Sequence, residues 1–219
     1  MKAVLFDFNG TLFNDTDFHR RAWRDYMLER FGRECGIEEI NRYFIGPGNH
    51  EIFRYCFGEI SEEKILEYSL EKEVYYRRIA SETEESMRLI DGAPELFDLL
   101  TARGIPFVLA TASPIDNIEF YLNDLGLKKW FSMDRVVYDT GELACKPAPD
   151  FYIEAARRVG LKPEDCIVVE DSPTGFEAAR RANAGKIIAI DRTQPREILE
   201  SRPEIDAIIH DFTDFERFL

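Results

Sequence analysis

The residues best suited to chemistry are a few acids and hydroxyls and one lysine, each close to the end of an apolar run or to a turn. Asp7 ends Val4-Leu5-Phe6 and opens the turn-like Phe8-Asn9-Gly10-Thr11-Leu12-Phe13. Thr111 and Ser113 follow Phe107-Val108-Leu109-Ala110, Lys146 precedes Pro147, and Glu170-Asp171 follow Ile167-Val168-Val169. Gathered at one edge of a sheet, Asp7, Glu170 and Asp171 would form a hard oxygen site suited to Mg2+. A hydroxyl and a lysine beside them are what a phosphate dianion needs. The cation and the lysine would screen the repulsion between an anionic nucleophile and a phosphoryl group, so that Asp7 attacks phosphorus and forms an aspartyl phosphate. Each residue also has a plainer reading. Asp7 alone reads equally well as a turn-capping acid, Ser113 as the cap of the helix after Pro114, and Lys146 as a surface lysine.

The elements that must position these residues follow from hydrophobic periodicity. Strands are expected at Lys2–Phe8, Pro106–Thr111, Arg135–Tyr138, Cys166–Glu170 and Lys186–Ile190, the first apolar on both faces as a central parallel strand would be. Helices are expected between them at Pro94–Ala102, Asp116–Leu125, Pro149–Val159 and Pro173–Ala182. That alternation predicts an α/β fold with a doubly wound, mainly parallel sheet, whose ligands bind at the carboxyl ends of the strands. From Asp15 to about Arg88 only helices are expected. One carries Phe18, Ala22, Trp23, Tyr26, Met27 and Phe31, capped by Asp15 or Thr16. A second covers Asn49–Phe57, and a third runs from Ser61 to about Ala80 with Leu66, Leu70 and Val74 on its apolar face. Because the first strand needs partners, residues 15–88 read as an all-helical insertion into a sheet domain made of 1–14 and 89–219.

At 219 residues and 45% apolar content, the chain can bury one large core plus a small inserted domain. A net charge of −14 opposes long-range attraction to nucleic acid or anionic membrane, so neither is an expected partner. Cys35, Cys56, Cys145 and Cys166 lack CxxC spacing and read as reduced thiols. With no basic-then-apolar leader and no apolar run of membrane-spanning length, a cytoplasmic monomer is expected.

The motifs, in order, are Asp7-Phe8-Asn9-Gly10-Thr11-Leu12, Thr111, Lys146-Pro147-Ala148-Pro149-Asp150 and Glu170-Asp171-Ser172. Together they resemble the four motifs of the haloacid dehalogenase-like (HAD) superfamily, most closely the branch of β-phosphoglucomutase and small phosphatases with a helical cap inserted after the first motif. The resemblance spans nearly the whole chain. It implies Asp7 as nucleophile and Mg2+ held by Asp7, the main-chain carbonyl of Asn9 and Asp171, with help from Glu170. It also implies a phosphate site at Thr111, Ala112 and Lys146, and a small phosphorylated metabolite as substrate.

The departure is at Asn9, where phosphatases and mutases of this family carry an aspartate as general acid and base. An amide does neither at ordinary pH. Three explanations stand: natural divergence with His19, Asn14 or water substituting; a leaving group that needs no proton; or a substitution that traps the phosphoenzyme. Dehalogenase chemistry is disfavoured by the acidic pair Glu170-Asp171. Phosphonate cleavage is disfavoured because the cap lysines, Lys64 and Lys72, fall in a charged stretch that reads as solvent-exposed. A mutase would want cationic grips where Asn49 and Pro114 stand. A catalytically weak phospho-ligand binder is the rival from another class. On the cap, His19, Asn49 and His50 are the substrate-side candidates; packing against Trp23 is the plainer reading of His19, and simple exposure that of His50.

Overall fold

The computed structural model describes residues 1–82 and 87–219; the remainder of the expected insertion, 83–86, lies outside the described residues. Six parallel strands run β1 Ala3–Phe6, β2 Phe107–Pro114, β3 Val136–Asp139, β4 Cys166–Glu170, β5 Lys186–Ile190 and β6 Ala207–Ile209, in the order β3-β2-β1-β4-β5-β6. Because β1 is central and both its faces are covered, all four of its residues are buried. It is shorter than the expected Lys2–Phe8, since the ladder ends with the Asp7 amide and the chain then turns. β6, a three-residue edge strand, was too short to show a period in sequence.

Alternation along the strands sorts the two faces of the sheet. Leu5, Val108, Ala110, Val137 and Val168 pack with Phe151, Tyr152, Ala155 and Phe176 of helices α7 (Asp150–Arg158) and α8 (Pro173–Arg181). On the other face Phe6 meets Phe97, Phe212 and Phe215, and Phe97 stacks on Phe107 at 5.5 Å. Each such buried side chain contributes about 1.5–3 kcal/mol relative to exposure. Helices α5 (Ala93–Ala102), α6 (Ile115–Asn123) and α9 (Arg196–Glu200) complete this unit, which comprises Met1–Asn14 and Arg88–Leu219.

Residues Asp15–Met87 form a second compact unit. Its described elements are helices: α1 Thr16–Phe31, α2 Ile37–Tyr43, α3 Asn49–Phe57 and α4 Glu62–Ala80. Their core is Trp23, Tyr26, Met27, Phe44, Ile52, Phe53 and Ile65. The expected cap at Asp15 is not made by its side chain; the carboxylate is buried and accepts from the Tyr76 hydroxyl.

Two expectations for α4 fail together. Leu66, Leu70 and Val74 are 61%, 41% and 55% exposed, whereas Ile65, Lys72, Glu73, Tyr76, Ile79 and Ala80 are buried. The buried row contains an ion pair, so it reads as polar, and periodicity favours the more apolar row next to it as the inward face. Lys72 is therefore not solvent-exposed. Its ammonium lies 2.9 Å from Glu73 and 2.8 Å from His19 Nδ1, above the Trp23 ring. Among the described residues no helix is long and apolar enough to cross a membrane.

Candidate active site

Sheet register builds the site. Ala3 lies opposite Cys166 and Phe6 opposite Val169, so the next position on β1, Asp7, comes level with Glu170. The Asp7 amide still donates to the Val169 carbonyl at 3.0 Å, which fixes its carboxylate at the sheet edge. Pairing of Phe6 with Leu109 likewise brings the carboxyl-terminal half of β2, with Thr111, alongside the turn after β1. That turn closes on itself through Leu12 N to Phe8 O at 2.8 Å and Gly10 N to Phe13 O at 2.8 Å. Gly10 is required twice: its φ of +78° is a left-handed conformation, and a Cβ there would collide with the Asp171 carboxylate.

Lys146, on the loop between β3 and α7, spans two acids, with its ammonium 2.7 Å from Asp7 Oδ1 and 2.7 Å from Glu170 Oε1. Glu170 has both oxygens committed. Oε1 accepts from Lys146 and from the Tyr152 hydroxyl, and Oε2 accepts from the Asp171 and Ser172 amides and the Ser172 hydroxyl. Gly175, in the first turn of α8, leaves the space this carboxylate fills, because any Cβ there would overlap it. Asp171 accepts from the Thr11 hydroxyl at 3.1 Å, and its carbonyl accepts from the Thr193 hydroxyl at 2.9 Å.

The electrostatics are unbalanced. One oxygen each of Asp7, Glu170 and Asp171 lies within 4.8 Å of the others, all three residues are buried, and one ammonium faces them. Burial pushes the Asp7 carboxyl up to about 7, Glu170 adding to the shift and Lys146 opposing it. Burial also holds the Asp171 carboxyl well above the usual range, reinforced by the charges of Glu170 and Asp7. For Glu170, burial is outweighed by Lys146 and by the Ser172 and Asp171 amides, and its carboxyl stays low. Burial would lower Lys146, but Asp7 and Glu170 more than offset that and keep it a cation. Three buried acids against one base leave an excess negative charge, a donor set of oxygen atoms that a hard divalent cation fits.

Asn9 lies beside this cluster with its amide engaged on both sides. Its Nδ2 donates to the Tyr121 hydroxyl at 2.9 Å; its Oδ1 accepts from Ser113 Oγ at 2.7 Å and from Thr111 Oγ1 at 3.3 Å. The structure thus brings together Asp7, Asn9, Thr111, Lys146, Glu170 and Asp171. Ala112, between Thr111 and Ser113, is exposed and offers main-chain groups alone.

The helical unit holds the remaining candidates. His19 stacks on Tyr76 with ring centroids 4.1 Å apart, its Nδ1 accepting from Lys72 and its Nε2 3.5 Å from Asp15. Asn49 donates to Glu73 Oε1 at 2.9 Å, so it joins His19 in one network around the buried Lys72–Glu73 pair. His50 is apart from them, half-exposed and 2.7 Å from Glu62. Sequence reasoning missed Tyr121, Tyr152 and Thr193. The first two read as ordinary helical core, whereas Thr193 follows the end of β5, where the rule of strand ends points.

Three comparisons bear on this arrangement. A family model described as haloacid dehalogenase-like hydrolase matches residues 1–183. The chain is 30% identical over 217 residues to a probable pseudouridine-5'-phosphatase of Drosophila melanogaster, covering 95% of this chain and 90% of that one. It is 28% identical over 192 residues to a phosphorylated carbohydrates phosphatase of Thermotoga maritima, covering 87% and 85% respectively. Among solved structures, a family IA variant 3 HAD hydrolase of Entamoeba histolytica superposes with a TM-score of 0.91 at 32% identity, over 98% of this chain and 95% of that one. With its parallel sheet, its acids at the ends of β1 and β4 and a family match running from the first strand through α8, the chain belongs to the haloacid dehalogenase-like hydrolases.

Proposed function

We propose that the protein is a Mg2+-dependent phosphatase that removes the phosphoryl group from a small phosphorylated metabolite, a sugar phosphate being the nearest class, through an intermediate on Asp7. The observation that carries this reading is the group of three buried carboxylates around one lysine at adjacent strand ends. Asp7, the main-chain carbonyl of Asn9 and Asp171 would hold the cation, which supplies positive charge against the phosphoryl oxygens. Glu170, with both oxygens already engaged, orients Lys146. Thr111, Ala112 and Lys146 grip the phosphate. An Asp7 oxygen forms a bond to phosphorus while the ester P–O bond breaks and its electron pair leaves with the substrate oxygen. Water then attacks the phosphorus, freeing phosphate and restoring the carboxylate. The helical unit is proposed as the cap, with His19, Asn49 and His50 as its substrate-side residues.

Asn9 sets the character of this reaction. Because its amide neither gives nor takes a proton, esters with poor leaving groups should turn over slowly, general acid–base help being typically worth ~10²–10⁴ in rate. A mutase ranks lower, since Asn49 and Pro114 provide no charge for a second phosphate and Asn49 is tied to Glu73. The engaged Asn9 amide favours one second reading, a phospho-ligand binder that retains the site but not turnover. Turnover of p-nitrophenyl phosphate and of a panel of sugar phosphates with Mg2+ separates the two. Hydrolysis of either kind that is lost on Asp7→Ala supports the phosphatase. Tight phosphate binding with no turnover of any ester supports the binder.

A further inference from the structure

The outer face of α4 is a row of exposed residues one turn apart: Glu62, Leu66, Leu70, Val74 and Arg78. Three consecutive apolar side chains, 61%, 41% and 55% exposed, form a continuous stripe about 12 Å long at 1.5 Å per residue. A soluble helix normally turns such a stripe inward. Here the inward face is already filled by Ile65, Lys72, Glu73, Tyr76 and Ile79, so the stripe has no role in the helical unit's own core.

What distinguishes this stripe is its symmetry. The first turn is acidic, Glu62 and Glu63, and the last is basic, Arg77 and Arg78. Leu70 is equidistant from Glu62 and Arg78, from Glu63 and Arg77, and from Leu66 and Val74. An antiparallel copy of the same helix placed on a two-fold axis at Leu70 therefore sets Glu63, seven residues and so almost two whole turns from Leu70, against Arg77, each Leu66 against a Val74, and Leu70 against itself; Glu62, paired with Arg54 and His50, flanks the contact. Antiparallel pairing also opposes the two helix dipoles. A parallel copy would oppose like charges at both ends. We infer that α4 is the dimerisation face of this protein, pairing antiparallel with α4 of a second copy about a two-fold axis at Leu70.

Self-complementary two-fold contacts are the commonest way for a chain to close into an oligomer. With one helix face per subunit the interface is small, so association is weak, with a dissociation constant on the order of 10–100 μM. The proposal differs from the monomer expected from the sequence, and it stands independently of the active-site reading because Leu66, Leu70 and Val74 take no part in that site.

Sedimentation equilibrium of the full chain tests it, with Leu70→Glu, Glu63→Arg and the double reversal Glu63→Arg/Arg77→Glu as variants. Glu63 and Leu70 are exposed and Arg77 is partly exposed, and unchanged thermal melting verifies the fold of each. The expected result is a concentration-dependent dimer, at least tenfold weaker in Leu70→Glu and Glu63→Arg and restored in the double reversal, whose charges are again self-complementary. In parallel, Leu70→Cys should give a disulfide-linked dimer under mild oxidation, and Ile37→Cys, at a more exposed position, should not. A wild-type chain that stays monomeric at several hundred micromolar would overturn the inference, whichever other partner covers the stripe. So would a dimer indifferent to Leu70→Glu, or a double reversal no better than the single one.

Discussion

Each unit of this protein buries a lysine against a glutamate, and the two clusters are built for opposite ends. In the helical unit Lys72 and Glu73 face each other at 2.9 Å, and their neighbours complete them: Asn49 donates to Glu73, His19 accepts from Lys72, and the Trp23 ring lies under the ammonium. Asp15, buried nearby, is held by Tyr76 and faces His19. In the sheet unit Lys146 faces Asp7 and Glu170 at 2.7 Å each, with Asp171 adding a third carboxylate. The Lys72–Glu73 pair balances its own charge and, with His19 and Asn49, ties α1, α3 and α4 together. In the other cluster, three acids share one ammonium, and burial, with the charges of the neighbouring acids adding to it, pushes Asp7 and Asp171 toward their protonated forms. A buried ion pair is therefore poor evidence for function by itself, and a buried imbalance is good evidence.

The largest expected effect is at Asp7. Asp7→Asn should lower kcat on the order of 10⁴–10⁶-fold, as loss of a nucleophile does, without lowering the thermal midpoint of the metal-free protein. A midpoint that falls by many degrees would mean that the sheet-unit cluster is structural after all. Next in size is Asn9→Asp, which should raise turnover of an alkyl phosphate about 10²–10⁴-fold and of p-nitrophenyl phosphate much less. An equal gain on both substrates would show that leaving-group protonation is not what Asn9 lacks.

The helical cluster gives the converse result. Lys72→Met leaves Glu73 buried without its ammonium and should cost about 3–5 kcal/mol in urea unfolding, most of it recovered by Lys72→Met/Glu73→Gln. If turnover fell while stability held, the contrast between the units would fail.

A smaller effect is linked to pH. The stability that a protonated Asp7 carboxyl contributes is complete below the unfolded value of 3.8 and is lost as pH rises through about 7. Mg2+ competes with that proton, so the rise in Tm on adding Mg2+ should be larger at about pH 8 than at about pH 5. Equal rises at both values would contradict an ion held by Asp7. Smallest is Tyr121→Phe, which removes the acceptor for Asn9 Nδ2 and should cost about 0.5–1.5 kcal/mol.

The sheet was legible in the chain because its central strands are continuous apolar runs, and strand ends in a parallel sheet share an edge. Asp7, Thr111 and Glu170-Asp171 can thus be grouped from the sequence alone. What escaped was governed by partners remote in sequence. Lys72 reads as a surface residue because His19, Trp23 and Glu73 enclose it only after three helices pack. Leu66, Leu70 and Val74 read as core because periodicity marks an amphipathic face without saying which row a neighbouring helix covers. β6 and α2 are too short to carry a period, and Tyr121, Tyr152 and Thr193 join the site through hydrogen bonds that spacing does not encode.

The account depends most on Asp7 carrying the phosphoryl group. Acid quenching during turnover of p-nitrophenyl phosphate with Mg2+, followed by peptide mass spectrometry, reads this directly. The predicted result is a phosphoryl adduct on the peptide containing Asp7, absent in Asp7→Ala. Full turnover in Asp7→Ala, or an adduct that maps to another residue, would contradict it.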